Sequence, residues 1–299
     1  MPEIIACLKQ GTVELLHDQG QRSEPLHSPY RVRVGAGKAP QHSAPIASVT
    51  RGRRRGELYY AIRVPSGTAL FAQTPGEVEE EQLFHGVDVH ISEIDFSFGD
   101  EALACTVPGP RGTSAIGSLA DDGKGVRTVT EGDVVDCMPR WASGGRGELV
   151  YASAGIGRTK SGEWGGLSPF ALHRLRFADN SVEVLTADAK YDYLAPVASG
   201  DALLFAIRRP YRAPRPPSPL TAIFRGLRRK TEPSRDPLER ELVRITQRGV
   251  ETLAKGVIAF DVAANGDLVY ATASSVLRSS ARGTEPMAAL EHVEQLVIC

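Results

Sequence analysis

Four histidines and three aspartates are the side chains whose type and placement in this chain suit chemistry. His27, His85 and His292 occupy similar places, each between an apolar run and a turn (SEPLHSPY, EQLFHGVD, ALEHVEQ), and His90 follows close behind the second. Equivalent histidines from separate parts of a repeated fold can share a metal ion, but each nitrogen must then lie within about 2.0–2.2 Å of it. Turns that follow outer strands sit at a rim, too far apart to converge, so solvated loop histidines and no metal are expected. Asp88, Asp136 and Asp192 lie on the crossings that enter innermost strands. Carboxylates there accept backbone N–H groups in Asx-type turns. Gathered at the mouth of a channel, they would also attract a cation or a basic peptide. The chain contains no Gly-x-Ser-x-Gly elbow of the kind that exposes a catalytic serine, and neither a catalytic residue nor a cofactor is expected.

A second stretch stands apart by charge: IRRPYRAPRPPSPLTAIFRGLRRKTEPSRDPLER. From Arg208 to Arg240 it holds ten Arg or Lys against three Asp or Glu, an excess of seven positive charges in a chain of net charge −1, so the remainder carries −8. Ser218 fits an N-cap and Pro219 the first helical position, while Leu220, Ile223, Phe224 and Leu227 recur at helical spacing. A short amphipathic helix over 218–230 is expected. Arg225, Arg228, Arg229 and Lys230 crowd its other side or its C-terminal end, where they suit the helix dipole. Burying the four apolar side chains is worth on the order of 1.5–3 kcal/mol each, so something must cover them. The chain's own surface and a protein partner are the two leading covers. In the second case Leu220, Ile223, Phe224, Leu227, Arg225, Arg228 and Arg229 form the partner-binding surface. An anionic membrane or nucleic acid comes after these, because the helix is short.

The elements that must position these residues repeat. A short apolar run, a polar turn and a second apolar run recur as PIASVTRGRRRGELYYAI, EIDFSFGDEALACTV, PRWASGGRGELVYAS, PVASGDALLFAIR and VIAFDVAANGDLVYATA. Marking each second run by its first apolar residue gives Ile4, Leu58, Leu103, Leu149, Leu203 and Leu268. These markers are spaced by roughly 45–65 residues, and strand-rich repeats of about this length indicate a β-propeller. The sixth copy is split: EQLVIC at the C-terminus reads as an innermost strand, and EIIACLKQ with GTVELLHDQG at the N-terminus reads as the strands that follow it. An all-β, six-bladed propeller of four-stranded antiparallel blades is therefore expected. It forms a single domain over 1–299, closed by a composite blade from both termini and carrying the insertion 210–240 in its fifth blade.

Thirty Gly and twenty Pro spread along the chain suit many tight turns, and 41% hydrophobic residues suffice for a core. The cysteines show neither CxxC spacing nor density, so free thiols are expected. No window approaches 18 uninterrupted apolar residues and the N-terminus shows no secretory leader, so a soluble, cytoplasmic protein is expected.

The segment IGSLADDGKGVRTVTEGDVVDCMPRWASGGRGELVYAS, Ile116 to Ser153, resembles the TolB-type propeller repeat, which ends in an Asp-x-x-Pro-x-Trp-Ser-Pro-Asp-Gly corner. Asp136, Pro139, Trp141 and Ser143 occupy the matching places, whereas Gly144 and Gly145 replace the Pro-Asp pair. Asp192, Pro196 and Ser199 match in a weaker copy, and Asn265-Gly266 stands at the turn of another. The resemblance covers nearly the whole chain and implies a TolB-like fold without a peptidase domain. The function it implies is a non-catalytic scaffold or adaptor for protein–protein interaction in a bacterial multi-component assembly. The alternative is a small-ligand- or metal-binding enzyme of the lyase or hydrolase type that uses the axial pocket.

Overall fold

The computed structural model describes residues 3–17, 20–29, 31–33, 41–77, 79–120, 125–142, 147–199, 203–213 and 237–299. The chain is all β. It opens with the hairpin β1 (Ile4–Lys9) and β2 (Thr12–His17), followed by the small hairpin β3 (Arg31–Arg33) and β4 (Gln41–Ser43) in the stretch that the repeat pattern leaves unassigned. A four-stranded antiparallel sheet comes next: β5 (Ile46–Arg51), β6 (Leu58–Val64), β7 (Gly67–Gln73) and β8 (Glu80–Val87). The second contains β9 (Ser92–Ser97), β10 (Ala102–Pro108), β11 (Ser114–Ala120) and β12 (Val126–Thr128). In the third, β13 (Val134–Trp141) pairs with β14 (Glu148–Arg158), whose end carries the short return strand β15 (Trp164–Leu167), before β16 (Ala171–Arg176) and β17 (Ser181–Val184). One parallel bridge, Ser114 to Val135, joins the second sheet to the third. The fourth sheet is β18 (Tyr191–Ser199), β19 (Leu203–Pro210), β20 (Glu241–Thr246) and β21 (Gly249–Lys255). The fifth is β22 (Ala259–Val262), β23 (Leu268–Ala271), β24 (Ser275–Ser280) and β25 (Gly283–Ala289).

The last strand, β26 (Val293–Ile298), returns to the start of the chain. It pairs antiparallel with β1, with Ile5 opposite Ile298, Ala6 opposite Val297 and Cys7 opposite Leu296. The split repeat is thus one sheet, of order β2-β1-β26. Its outer edge is less regular than in the other sheets: the isolated bridges Val13–Leu26 and Leu16–Arg22 stand where the others have a fourth strand.

Burial runs in the same order in every sheet. Second strands such as LYYAIRV in β6 and the ELVYASA part of β14 are almost continuously buried, because neighbouring sheets cover both of their faces. Fourth strands such as SVEV in β17 and GVETLAK in β21 are largely exposed, which accounts for their polar alternation. Among the described residues six apolar clusters lie between successive sheets. Tyr60 and Phe71 pack with Leu8 and Val13, and Tyr59 and Phe84 with Ile94 and Phe96. Ile116 packs with Leu149 and Tyr151, Val150 and Leu172 with Tyr193 and Leu204, and Phe205 and Leu242 with Phe260 and Tyr270. Val269 and Val276 then meet Ile5, Leu16 and Leu296 of the terminal sheet. The first strands follow the same cycle, with β26 against β5, then β9, β13, β18 and β22, which returns to β26.

Candidate functional site

The inner ends of the six sheets carry a buried polar belt. Hydrophobic first strands are interrupted by Ser48, Thr50, Asp95, Asp136, Asp192 and Asp261, all buried. Most of these side chains bond to the neighbouring sheet. The Ser48 hydroxyl donates to Gln295 Oε1 (3.1 Å) and accepts the Ile94 N–H (3.0 Å), while Val49 exchanges both backbone groups with the Gln295 amide. Thr50 accepts the Phe96 N–H at 3.3 Å. Asp95 accepts the Trp141 N–H at 2.8 Å and Arg140 Nη1 at 3.0 Å, and its carbonyl accepts the Trp141 indole at 3.1 Å. Asp261 accepts the Ile298 N–H at 2.9 Å, which joins the fifth sheet to the terminal one. The bonds accepted from the Val49, Ile94, Phe96, Trp141 and Ile298 N–H groups satisfy buried backbone donors.

The first strands also bulge at corresponding places. Pairing slips near Ala47, Glu93, Met138, Ala195 and Glu294. Glu93, Met138 and Ala195 there adopt left-handed backbone, as a residue inserted into one strand of a pair often does. These residues line the space between the first strands. A cavity of about 220 Å³ is bounded by Ala47, Glu93, Met138, Arg140 and Ala195. It adjoins a larger one of about 550 Å³ between β18, β22 and β26, lined by Arg140, Arg209, Arg240, Leu194, Ile258 and Phe260 among others.

The three candidate channel-mouth aspartates occupy different environments. Asp88 is exposed in the turn before β9, where its N–H donates to the Ser66 carbonyl at 2.7 Å. Asp192 is buried; its carboxylate accepts the Phe170 N–H at 3.1 Å and Arg209 Nε at 2.9 Å. Asp136 is buried as well, and desolvation pushes its carboxyl above the ordinary 3.8, against the opposing pull of the Ser153 and Thr130 hydroxyls and of His173. One of its oxygens, Oδ1, has no hydrogen-bond partner among the described residues.

That imbalance sets a pH dependence. A raised carboxyl means that the folded state binds its proton more tightly than the unfolded chain does. The ionised form therefore opposes folding above the raised value, and the opposition is relieved as pH falls through that value towards the unfolded one. Asp136→Asn should raise the melting temperature at pH 7.5 by roughly 2–4 °C, equivalent to about 1 kcal/mol, and the gain should shrink at pH 4. Thermal melts of both proteins at the two pH values check the sign.

His27, His85, His90 and His292 are all exposed, and His85 lies on the edge strand β8 rather than in a loop. Among the described residues no group of three His, Cys, Asp or Glu side chains could hold a metal ion. The cysteines are free thiols; burial pushes Cys7 and Cys105 up to about 12. The expected helix at 218–230, with Leu220, Ile223, Phe224, Leu227, Arg225, Arg228 and Arg229, lies outside the described residues. The described flanks of that insertion show how its charge is spent: Arg208 pairs with Glu241, Arg209 with Asp192 and Arg212 with Glu239. The belt has a signal in the sequence, a polar residue inside an apolar first run (IDF, FDV), which resembles no conventional catalytic pattern.

No family model and no curated protein matches the sequence. Solved structures do match the fold. TolB from Acinetobacter baumannii superposes with a TM-score of 0.62 at 14% identity, over 99% of this chain and 66% of that one, so the chain spans just under two thirds of that protein's length. A putative TolB from Agrobacterium tumefaciens gives 0.57 at 12% identity, over 99% of this chain and 93% of the other. A chain of the nidogen/laminin complex gives 0.61 at 10%, over 99% and 98%. The cytoplasmic location expected from the sequence does not stand, because the TolB proteins that share this fold are periplasmic. Among the described residues no helix is long and apolar enough to cross a membrane. The cytoplasmic expectation rested on the look of the first residues and on the lack of a long apolar window. The expected resemblance holds at the level of structure: by fold, this chain is similar to TolB and to other propeller-repeat proteins.

Proposed function

We propose that the six sheets are the blades of one closed β-propeller spanning 1–299, and that this ring is a non-catalytic scaffold for protein–protein interaction in a bacterial multi-component assembly. The cyclic contact of the first strands and the shared terminal sheet support the closed ring. One observation carries the adaptor reading. Two departures from the repeat, the β14–β15 hairpin and the basic insertion, leave from equivalent second-to-third-strand connections of adjacent sheets. They are tied at the base by a hydrogen bond from the Tyr211 hydroxyl to the Leu167 carbonyl. The hairpin presents Trp164, 47% exposed, over Gly112, and the insertion that shares its base is rich in arginine. Trp and Arg are the side chains that most often anchor protein partners.

The likeness to TolB, and to a chain whose structure is that of a two-protein complex, agrees with this reading. On this reading the partner surface comprises Leu220, Ile223, Phe224, Leu227, Arg225, Arg228 and Arg229. Its test is the paired change Phe224→Asp and Leu227→Asp. Co-purification from the native host should lose the partner bound by the unaltered protein, while the far-ultraviolet spectrum and melting temperature stay unchanged. An unaltered set of bound proteins would leave the insertion a structural element and overturn the assignment.

A further inference from the structure

The wall of the larger cavity carries a guanidinium without an ion pair among the described residues. Three guanidinium groups line it. Arg140 is paired with Asp95 at 3.0 Å and Arg209 with Asp192 at 2.9 Å. Among the described residues Arg240 has no ion pair, and its buried Nε lacks any hydrogen-bond partner. The charge that Arg240 feels is of like sign: burial lowers its guanidinium, and the Arg209 charge lowers it further. Glu294, the acidic residue on the wall, is exposed and makes no ion pair with Arg240 among the described residues. A buried donor left unmade costs on the order of 1–3 kcal/mol, more when it is charged. Such a cost persists where a ligand meets it.

The rest of the wall describes that ligand. Leu194, Ile207, Ala259 and Phe260 are buried apolar residues, and half-buried Ile258 completes their side. The cavity volume of about 550 Å³ is within the range of small-molecule sites, far beyond what one hydrated ion needs.

We propose that this cavity is a binding site for a small organic carboxylate, with the anionic group on Arg240 and Arg209 and an apolar body against Phe260, Leu194 and Ile258. The carboxylate supplies the missing counter-charge, and the apolar wall selects against hydrophilic anions such as phosphate. The adaptor reading uses residues 220–229 of the insertion, whereas this site uses Arg240 at the insertion's end, so each can fail without the other.

Calorimetric titration of the full chain with 3-phenylpropionate tests it, with 3-phenylpropionamide and inorganic phosphate as the other two probes. The carboxylate should bind at millimolar or better affinity, the amide at least tenfold more weakly and phosphate more weakly still. Arg240→Gln should lower carboxylate affinity at least tenfold without lowering the melting temperature, and Arg240→Lys should recover part of it. Ile258→Trp, which fills the apolar side, should abolish binding while Arg240 remains. Equal binding of acid and amide, an Arg240→Gln protein that binds as before, or phosphate binding more tightly than the carboxylate would each overturn the proposal. So would the absence of carboxylate binding in a folded wild-type protein.

Discussion

Replacing Asp95 with alanine should lower the melting temperature by on the order of 10 °C, the largest effect of any single buried side chain in the belt. Asp95 serves three donors on two other sheets: the Trp141 N–H, Arg140 Nη1 and the Thr50 hydroxyl. Its partner Arg140 has a side chain only 14% exposed. Burial alone would lower that guanidinium, and the Asp95 and Asp261 carboxylates more than reverse the effect. Removing one member of such a pair leaves a buried charge without compensation, which costs about 3–5 kcal/mol. In a domain of this size each kcal/mol moves the melting temperature by about 2–4 °C. Asp95→Asn keeps an acceptor for the Trp141 N–H and should fall between the alanine variant and the wild type. Arg140→Gln made on Asp95→Asn should cost less than the two single changes added together, because the second change removes the stranded charge. Thermal and urea melts of the four proteins decide it, and additive losses would show that the pair does not act as a unit.

The same residues mark how far the sequence could be read. The recurrence of apolar run, turn and apolar run placed every second strand, because these strands are buried on both faces and leave a continuous apolar imprint. Trp141 and Pro139 fixed the corner of the third sheet, where the indole reaches the Asp95 carbonyl and stacks on Phe177 with ring centroids 5.6 Å apart. What Asp95 does was less legible. Its partner stands 46 positions further on, close to one repeat length, and nothing local distinguishes an aspartate that bonds across sheets from one that faces water. Asp88 and Asp192 make the same point. They look alike in the sequence, yet one is exposed and the other is buried against Arg209, since burial depends on the sheet packed alongside. The cavity was beyond reach altogether: Arg140, Arg209 and Arg240 come from three separate strands or turns and meet only when the first strands converge.

Deleting 296–299 should prevent stable folding, whereas joining the two termini should not. The four residues include Leu296, Val297 and Ile298, which pack into the clusters on both sides of the terminal sheet. Large-to-small changes at comparable sites cost about 2–5 kcal/mol each, and a typical domain is stable by only about 5–15 kcal/mol. The truncation also strips the Ile298 N–H from Asp261 and leaves β1 with an open edge, which invites pairing with another chain. Covalent continuity between the termini is another matter. Ile4 and Cys299 already exchange backbone hydrogen bonds, at 3.3 and 2.8 Å, so a short Gly-Ser linker from Cys299 to Met1 spans an existing contact. A permuted chain joined there and reopened within 214–236 keeps every described strand and every bond of the belt. It should melt within a few degrees of the parent, while the truncated chain appears in inclusion bodies or as soluble aggregate. A truncated protein that is monomeric and melts like the parent would show that the β1–β26 pairing contributes little. A permutant that fails to fold would show that the order in which the sheets form, as well as their final contacts, controls assembly of the fold.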